Sequence, residues 1–278
     1  MGETVADRIR DAGTENFPVA SRLLTGRKRG AVMAFYRYAR AADNVADDAD
    51  LAAAVKLSEL DAFEAGLDGD PDGRPEALAL RSALADRPEA LAEARRLLGA
   101  FRQDARGACY ATWDDLRAYC AMSADPVGRF LLALHGEDRR VAALSDPLCT
   151  ALQVLNHLQD LAEDRARLGR VYLPADWLEE AGARPEDLSE PRLTPELSRV
   201  VTRTLDTCAT LLNRAAPLPG AIRSRGLRGQ AAATLWLARR LCQRLRRGDP
   251  LARRVALSRA DVLRAGAVGL THAARRPR

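Results

Sequence analysis

Three features of the sequence predict an all-α fold. Apolar residues recur at spacings of three and four through most of the chain. No run of β-branched residues alternates with a period of two, and Pro, Gly and Ser-Asp-Pro signals fall where helices of ordinary length start and stop. Taken in order, Asn16 and Pro18 offer a cap and a first-turn proline for a short helix ending near Gly26. A longer helix is expected over about 29–48, followed by helices near 51–66, 76–85 and 88–106. A turn at Ser123–Pro126 precedes a helix running to about His135. Ser145-Asp146-Pro147 starts another that continues to Leu168, with Gly169 as its stop. After a Pro-rich, acidic loop from Pro174 to Pro195, helices are expected over about 195–214, 217–247 and 251–272. No loop has the composition of an interdomain linker, so residues 1–278 are expected to form one helical domain.

Composition narrows the class. With 278 residues and 47% apolar content, the chain can bury a full core. It has no stretch of about 18 uncharged apolar residues that would span a bilayer. The first thirty residues carry charges throughout, from Glu3 and Asp7 to Arg27, Lys28 and Arg29, unlike a secretory signal, so the expected location is the cytoplasm. Five scattered cysteines, Cys109, Cys120, Cys149, Cys208 and Cys242, form no C-x-x-C pair and are expected to be small core residues.

The net charge of +5 is unevenly distributed. From Arg223 onward there are 15 arginines against Asp249 and Asp261, a net +13, whereas the preceding residues carry −8. One reading is an arginine-biased composition, since only Lys28 and Lys56 are lysines. The other is attraction to an anionic surface, a diphosphate or a membrane to which the protein binds peripherally. Nucleic acid is not an expected partner, because the basic stretch has one aromatic residue, Trp236, and no groove-reading or stacking motif.

Two acidic turns carry the chemistry. Asp43 and Asp47 lie at i and i+4, as do Asp160 and Asp164. Such pairs sit one turn apart on the same helix face, where like charges repel by a few tenths of a kcal/mol, about the size of one exposed pair. Both pairs fall in the last third of their expected helices, where the macrodipole disfavours anions by roughly 0.3–1 kcal/mol. A single turn of this kind is commonly a solvated face, partly neutralised by neighbours such as Arg40. Two of them, each among apolar residues, point instead to a cavity where carboxylates hold Mg²⁺, which takes one or two carboxylates together with phosphate oxygens. Arg37 and Arg40, one turn earlier, either pair with these acids or contact phosphate. His157 is expected to be a core or supporting residue.

At these residues the sequence resembles the squalene/phytoene synthase family, head-to-head prenyl synthases of the class I isoprenoid synthase fold, an all-α bundle with a central cavity. The family's first acidic motif corresponds to Asp43-Asn44-Val45-Ala46-Asp47 and its second to Asp160-Leu161-Ala162-Glu163-Asp164. Its diphosphate-binding arginine corresponds to Arg40. The run from Gly169 to Pro174 and the segments Tyr119-Cys120 and Pro126-Val127-Gly128-Arg129 also match. Within the family, Glu15-Asn16-Phe17-Pro18-Val19-Ala20-Ser21 and Asn156-His157-Leu158-Gln159-Asp160 are similar to the hydroxysqualene synthases, where related branches usually carry an arginine at the place of Gln159. Asn44 departs from the family, standing where an acid is common.

The resemblance implies ionisation of a prenyl diphosphate, helped by Mg²⁺ or alternatively Mn²⁺ at Asp43, Asp47, Asp160 and Asp164. It also implies substrate contacts at Ser21, Arg22, Arg37, Arg40, Gln153, Asn156, Arg170 and Tyr172, and a catalytic role for Tyr119. Phe35, Tyr36, Phe101, Tyr119 and Phe130 are candidates for lining the cavity; most aromatics on such helices are simply core, and the family match supports Tyr119 alone. The implied substrate is presqualene diphosphate and the implied product hydroxysqualene, on the route to squalene and hopanoids. A presqualene diphosphate synthase would supply the substrate and a separate reductase consume the product, because the chain has no Gly-rich dinucleotide fingerprint and NAD(P)H is not expected. The same residues fit condensation of two farnesyl diphosphates to presqualene diphosphate, or of two geranylgeranyl diphosphates to phytoene. A helical interaction protein with solvated acidic turns is the non-catalytic alternative.

Overall fold

A computed structural model describes residues 26–107 and 109–275. Among them the regular structure is helical, with no strand. The chain order is α1 (Gly26–Ala46), α2 (Ala53–Asp68), α3 (Pro75–Ala83), α4 (Pro88–Ala105), α5 (Trp113–Ser123), α6 (Asp125–His135), α7 (Ala142–Gln159) and α8 (Leu161–Leu168). Then come α9 (Ala175–Ala181), α10 (Pro195–Arg214), α11 (Leu218–Ala221), α12 (Arg225–Leu245) and α13 (Arg259–Ala274). The short N-terminal helix expected near Asn16–Gly26, along with Ser21 and Arg22, lies outside the described residues.

Two apolar clusters hold the bundle. One joins α1–α4 and α6 through Phe35, Tyr38, Leu60, Phe63, Leu98 and Phe130. The other joins α5, α7, α10 and α12 through residues such as Leu116, Leu155, Leu205 and Leu241. Burying each such side chain contributes about 1.5–3 kcal/mol. The acidic turns sit where these two halves meet.

Several boundaries differ from those expected. Helix α5 falls in a stretch for which the sequence predicts no element. Thr112 starts it with a capping box, its hydroxyl accepting from Asp115 N–H while the Asp115 carboxylate accepts from Thr112 N–H. Helix α9 lies inside the expected Pro-rich loop. The span 217–247 is split by extended backbone at Ile222, and α13 starts only at Ser258, whose hydroxyl forms a capping box with Asp261.

The break at Asp160 matters most. Its backbone (φ −106°, ψ 13°) leaves the helix, separating α7 from α8. The Asp160 carbonyl still accepts from Asp164 N–H at 2.7 Å, so the i, i+4 relation survives. Asp164 therefore lies in the first turn of α8, where the helix dipole favours an anion, and the expected C-terminal penalty applies to the first acidic pair alone. The cysteines also divide. Cys120, Cys208 and Cys242 are buried and Cys149 half-buried, but Cys109 is exposed, because it lies in the irregular segment before α5.

Candidate active site

The C-terminal end of α1 supplies the first wall. Val32, Phe35, Tyr38 and Ala42 turn into the core, and the Tyr38 phenol donates to the Ala94 carbonyl at 3.1 Å, so the neighbouring stripe of Arg40, Asp43 and Asp47 faces the cavity. Arg40 pairs with Asp43 at 2.9 Å. Arg37, by contrast, is exposed and lines neither cavity, because it lies one turn back on the solvent side of α1.

The opposite wall comes from α7, α8 and the strap that follows. Gln153, Asn156, His157 and Asp160 descend the inner face of α7, and Glu163 and Asp164 begin α8. Gly169 ends α8 with φ +65°, a conformation that costs a residue with a Cβ about 1–2 kcal/mol. The reversal returns Arg170 and Tyr172 to the cavity. Arg170 then bridges the walls, donating to Asp47 at 2.6 Å and to the carbonyls of Ala46 and Asp104 at 3.2 and 3.3 Å.

Each of the four motif acids has a cationic or titratable neighbour. Asp43 has Arg40, Asp47 has Arg170, Asp160 has Arg254 at 3.1 Å and Asp164 has His157 at 3.6 Å. Burial, reinforced by the charge of Asp47, pushes the Asp43 carboxyl up to about 7 against the opposing pull of Arg40. His157 stacks on Tyr172 with ring centroids 3.6 Å apart, and its Nε2 lies 3.1 Å from Gln153. It supports Tyr172 and Gln153 and approaches Asp164.

Asp104 was not singled out by sequence. It is buried at the end of α4, where its carboxylate accepts from the Tyr119 phenol at 2.8 Å and from Tyr172 at 3.4 Å. Burial pushes it up to about 6, although Arg170 and the Tyr119 hydrogen bond pull it down. A signal existed: Asp104 follows Leu97 and Phe101 at four- and three-residue steps, an acid in an apolar helical row. Arg254 was also missed, and it lies 94 residues from Asp160 in an irregular segment where no local pattern points to it.

The site consists of two joined spaces. A polar cavity of about 650 Å³ contains the acids, Arg40, Arg170, Gln153 and Asn156. An apolar cavity of about 390 Å³ is lined by Tyr119, the aromatic expected there, and by the four further candidates Phe35, Tyr36, Phe101 and Phe130. Arg40, Asp43, Asp104, Tyr119 and Gln153 line both spaces and form the boundary between them. Such an arrangement suits a molecule with an anionic head and a long apolar body.

A helical bundle enclosing acid-rich turns beside an apolar cavity is the architecture of an isoprenoid synthase, and this chain is an enzyme of that class. It belongs to the squalene/phytoene synthase family, whose model matches residues 10–261. It is 41% identical over 257 residues to the hydroxysqualene synthase of Rhodopseudomonas palustris, covering 91% of this chain and 88% of that one. Identity to the hydroxysqualene synthase of Sinorhizobium fredii is 39% over 262 residues, covering 94% and 90%. The crystal structure of squalene synthase HpnC from Alicyclobacillus acidocaldarius superposes with a TM-score of 0.74 at 31% identity, covering 85% of this chain and 90% of that one.

Proposed function

We propose that this enzyme converts presqualene diphosphate and water to hydroxysqualene and diphosphate. The observation that carries the reading is the shared boundary between the two cavities. A diphosphate among Arg40, Arg170 and the acidic turns places the attached carbon beside Tyr119, with the hydrocarbon in the apolar space. The similarity to hydroxysqualene synthases supports the choice of substrate.

The residues fit a divalent cation. Their donors are hard oxygens, and burial with an adjacent anion raises the Asp43 carboxyl, a condition that a bound cation relieves. In addition, Asn156 Oδ1 is buried with no hydrogen-bond partner among the described residues. Mg²⁺, or Mn²⁺, takes one or two carboxylates together with phosphate oxygens. Asp43 and Asp47 on one wall and Asp160 and Asp164 on the other would hold such ions, which when bound would neutralise charge growing on the leaving diphosphate.

The carbon–oxygen bond breaks with both electrons leaving on diphosphate. Arg40 and Arg170 contribute positive charge where that negative charge develops. The aromatic faces of Phe35, Phe101 and Phe130 exclude bulk water and stabilise the rearranging carbocation. Water then forms the new carbon–oxygen bond, and its proton passes to the Asp104–Tyr119 pair or to diphosphate. The sequence is redox-neutral, so NAD(P)H has no part in it.

The test is product analysis by mass spectrometry, with Mg²⁺, no reductant, and either presqualene or farnesyl diphosphate. Hydroxysqualene from presqualene diphosphate supports the reading. Presqualene diphosphate formed from farnesyl diphosphate assigns the preceding step instead.

A further inference from the structure

Helix α13 is attached to the bundle along one side only. Its inward face is made of Asp261, Ala265 and Gly269 at four-residue intervals. Gly269 approaches α12 so closely that a Cβ there would lie 2.9 Å from the Gly229 carbonyl oxygen. Asp261 is buried, paired with Arg240 at 3.0 Å and Arg244 at 2.6 Å.

The outward side has the opposite character. Leu263 is 75% exposed, Leu270 62% and Val262 54%, three of the five large apolar side chains left exposed among the described residues. Leu263, Ala267, Leu270 and Ala274 recur at steps of four, three and four, so they form one stripe. Exposed Arg259 and Arg264 lie along its margins. From Pro250 onward the sole acid is Asp261, already neutralised inside.

We infer that the outward face of α13 docks the protein on an anionic lipid bilayer. An apolar stripe bordered by arginines suits the boundary between acyl chains and charged headgroups. A second copy docked by the same face would set arginine margin against arginine margin across a twofold axis, an arrangement without charge complementarity. The other side of α12, through Leu227, Gln230, Ala231 and Thr234, lines the apolar cavity, so one helix separates the docking face from the hydrocarbon-lined space. No described helix is long and apolar enough to cross a membrane. The surface is read from α13 itself and holds whichever prenyl diphosphate the cavity takes.

The experiment is co-sedimentation of the full chain with phosphatidylcholine vesicles, with or without about 30% phosphatidylglycerol, at about 50 and 500 mM salt. Expected is binding to the anionic vesicles at low salt, weakened at least about tenfold by Leu263→Asp/Leu270→Asp through lost apolar burial. Arg259→Gln/Arg264→Gln weakens binding to anionic vesicles by about tenfold and leaves phosphatidylcholine vesicles unaffected. Turnover of detergent-dispersed substrate and helix content stay unchanged in both variants, which separates this inference from the catalytic reading. Absence of wild-type binding at low salt, or equal binding by wild type and the leucine variant, overturns it. So does a dimer in sedimentation velocity that the leucine variant dissolves while vesicle binding persists, since that assigns the face to a second copy.

Discussion

The Tyr119 phenol donates a 2.8 Å hydrogen bond to the Asp104 carboxylate, joining α5 to α4 at the boundary between the polar and apolar cavities. Tyr110 and Tyr172 pack against the Tyr119 ring at centroid distances of 5.4 and 5.7 Å, so the phenol is held in place. Tyr119→Phe is expected to lower kcat by about 10²-fold, the scale of a positioned proton-transfer group, with little change in KM. Asp104→Asn should lower it similarly. A double variant no worse than either single one would show that the two act as a unit, and steady-state kinetics on all three checks this.

Asp43→Ala and Asp160→Ala are each expected to reduce turnover by about 10³-fold or more, the scale for losing electrostatic stabilisation of a leaving group. Circular dichroism should show retained helix content. The sharper readout is thermal: Mg²⁺ with diphosphate should raise the wild-type melting temperature and leave both variants nearly unmoved.

Gln159 is buried and donates to the Val255 carbonyl, anchoring the irregular segment whose Arg254 reaches Asp160. Gln159→Ala should cost about 1–3 kcal/mol in chemical denaturation, the scale for leaving a buried partner unsatisfied. Hydrogen exchange of residues 250–257 should rise in the same variant.

Asp125 provides a pH test away from the site. Burial, with the charge of nearby Asp146, pushes its carboxyl up to about 7, while Thr150 donates to it at 2.9 Å. A folded-state value above that of the unfolded chain gives stability that is fully present at acid pH and lost as pH rises through about 7. Asp125→Asn removes the ionisation and keeps the acceptor for Thr150. The variant should therefore gain on wild type as pH rises from about 4 to 7, by on the order of 2–4 kcal/mol at the upper end. Urea denaturation of both proteins across that range measures the difference.

The legible parts of this site were local in sequence. The Asp43/Asp47 and Asp160/Asp164 spacings announce themselves within one helical turn, and Gly169 marks the reversal that returns Arg170. The break at Asp160 gave no such warning, because the apolar rhythm continues across it without Pro or Gly. Asp104 left a weaker trace, a lone acid in an apolar row. Contacts such as Arg254–Asp160 and Gln159–Val255 join residues more than 90 positions apart and arise from packing, which no window of sequence reports.

The pairing of Asp43, Asp47 and Asp160 with arginines, and of Asp164 with His157, has a consequence for the order of events. A metal ion arriving alone would take carboxylates from their present partners and strand the arginines, while a diphosphate arriving alone would draw the arginines away and strand the acids. When both arrive, every displaced charge finds a new opposite. Under the proposed function the cavity would receive either ion weakly and the two together strongly, a coincidence detector in which the reactive bond breaks only once its leaving group is already escorted.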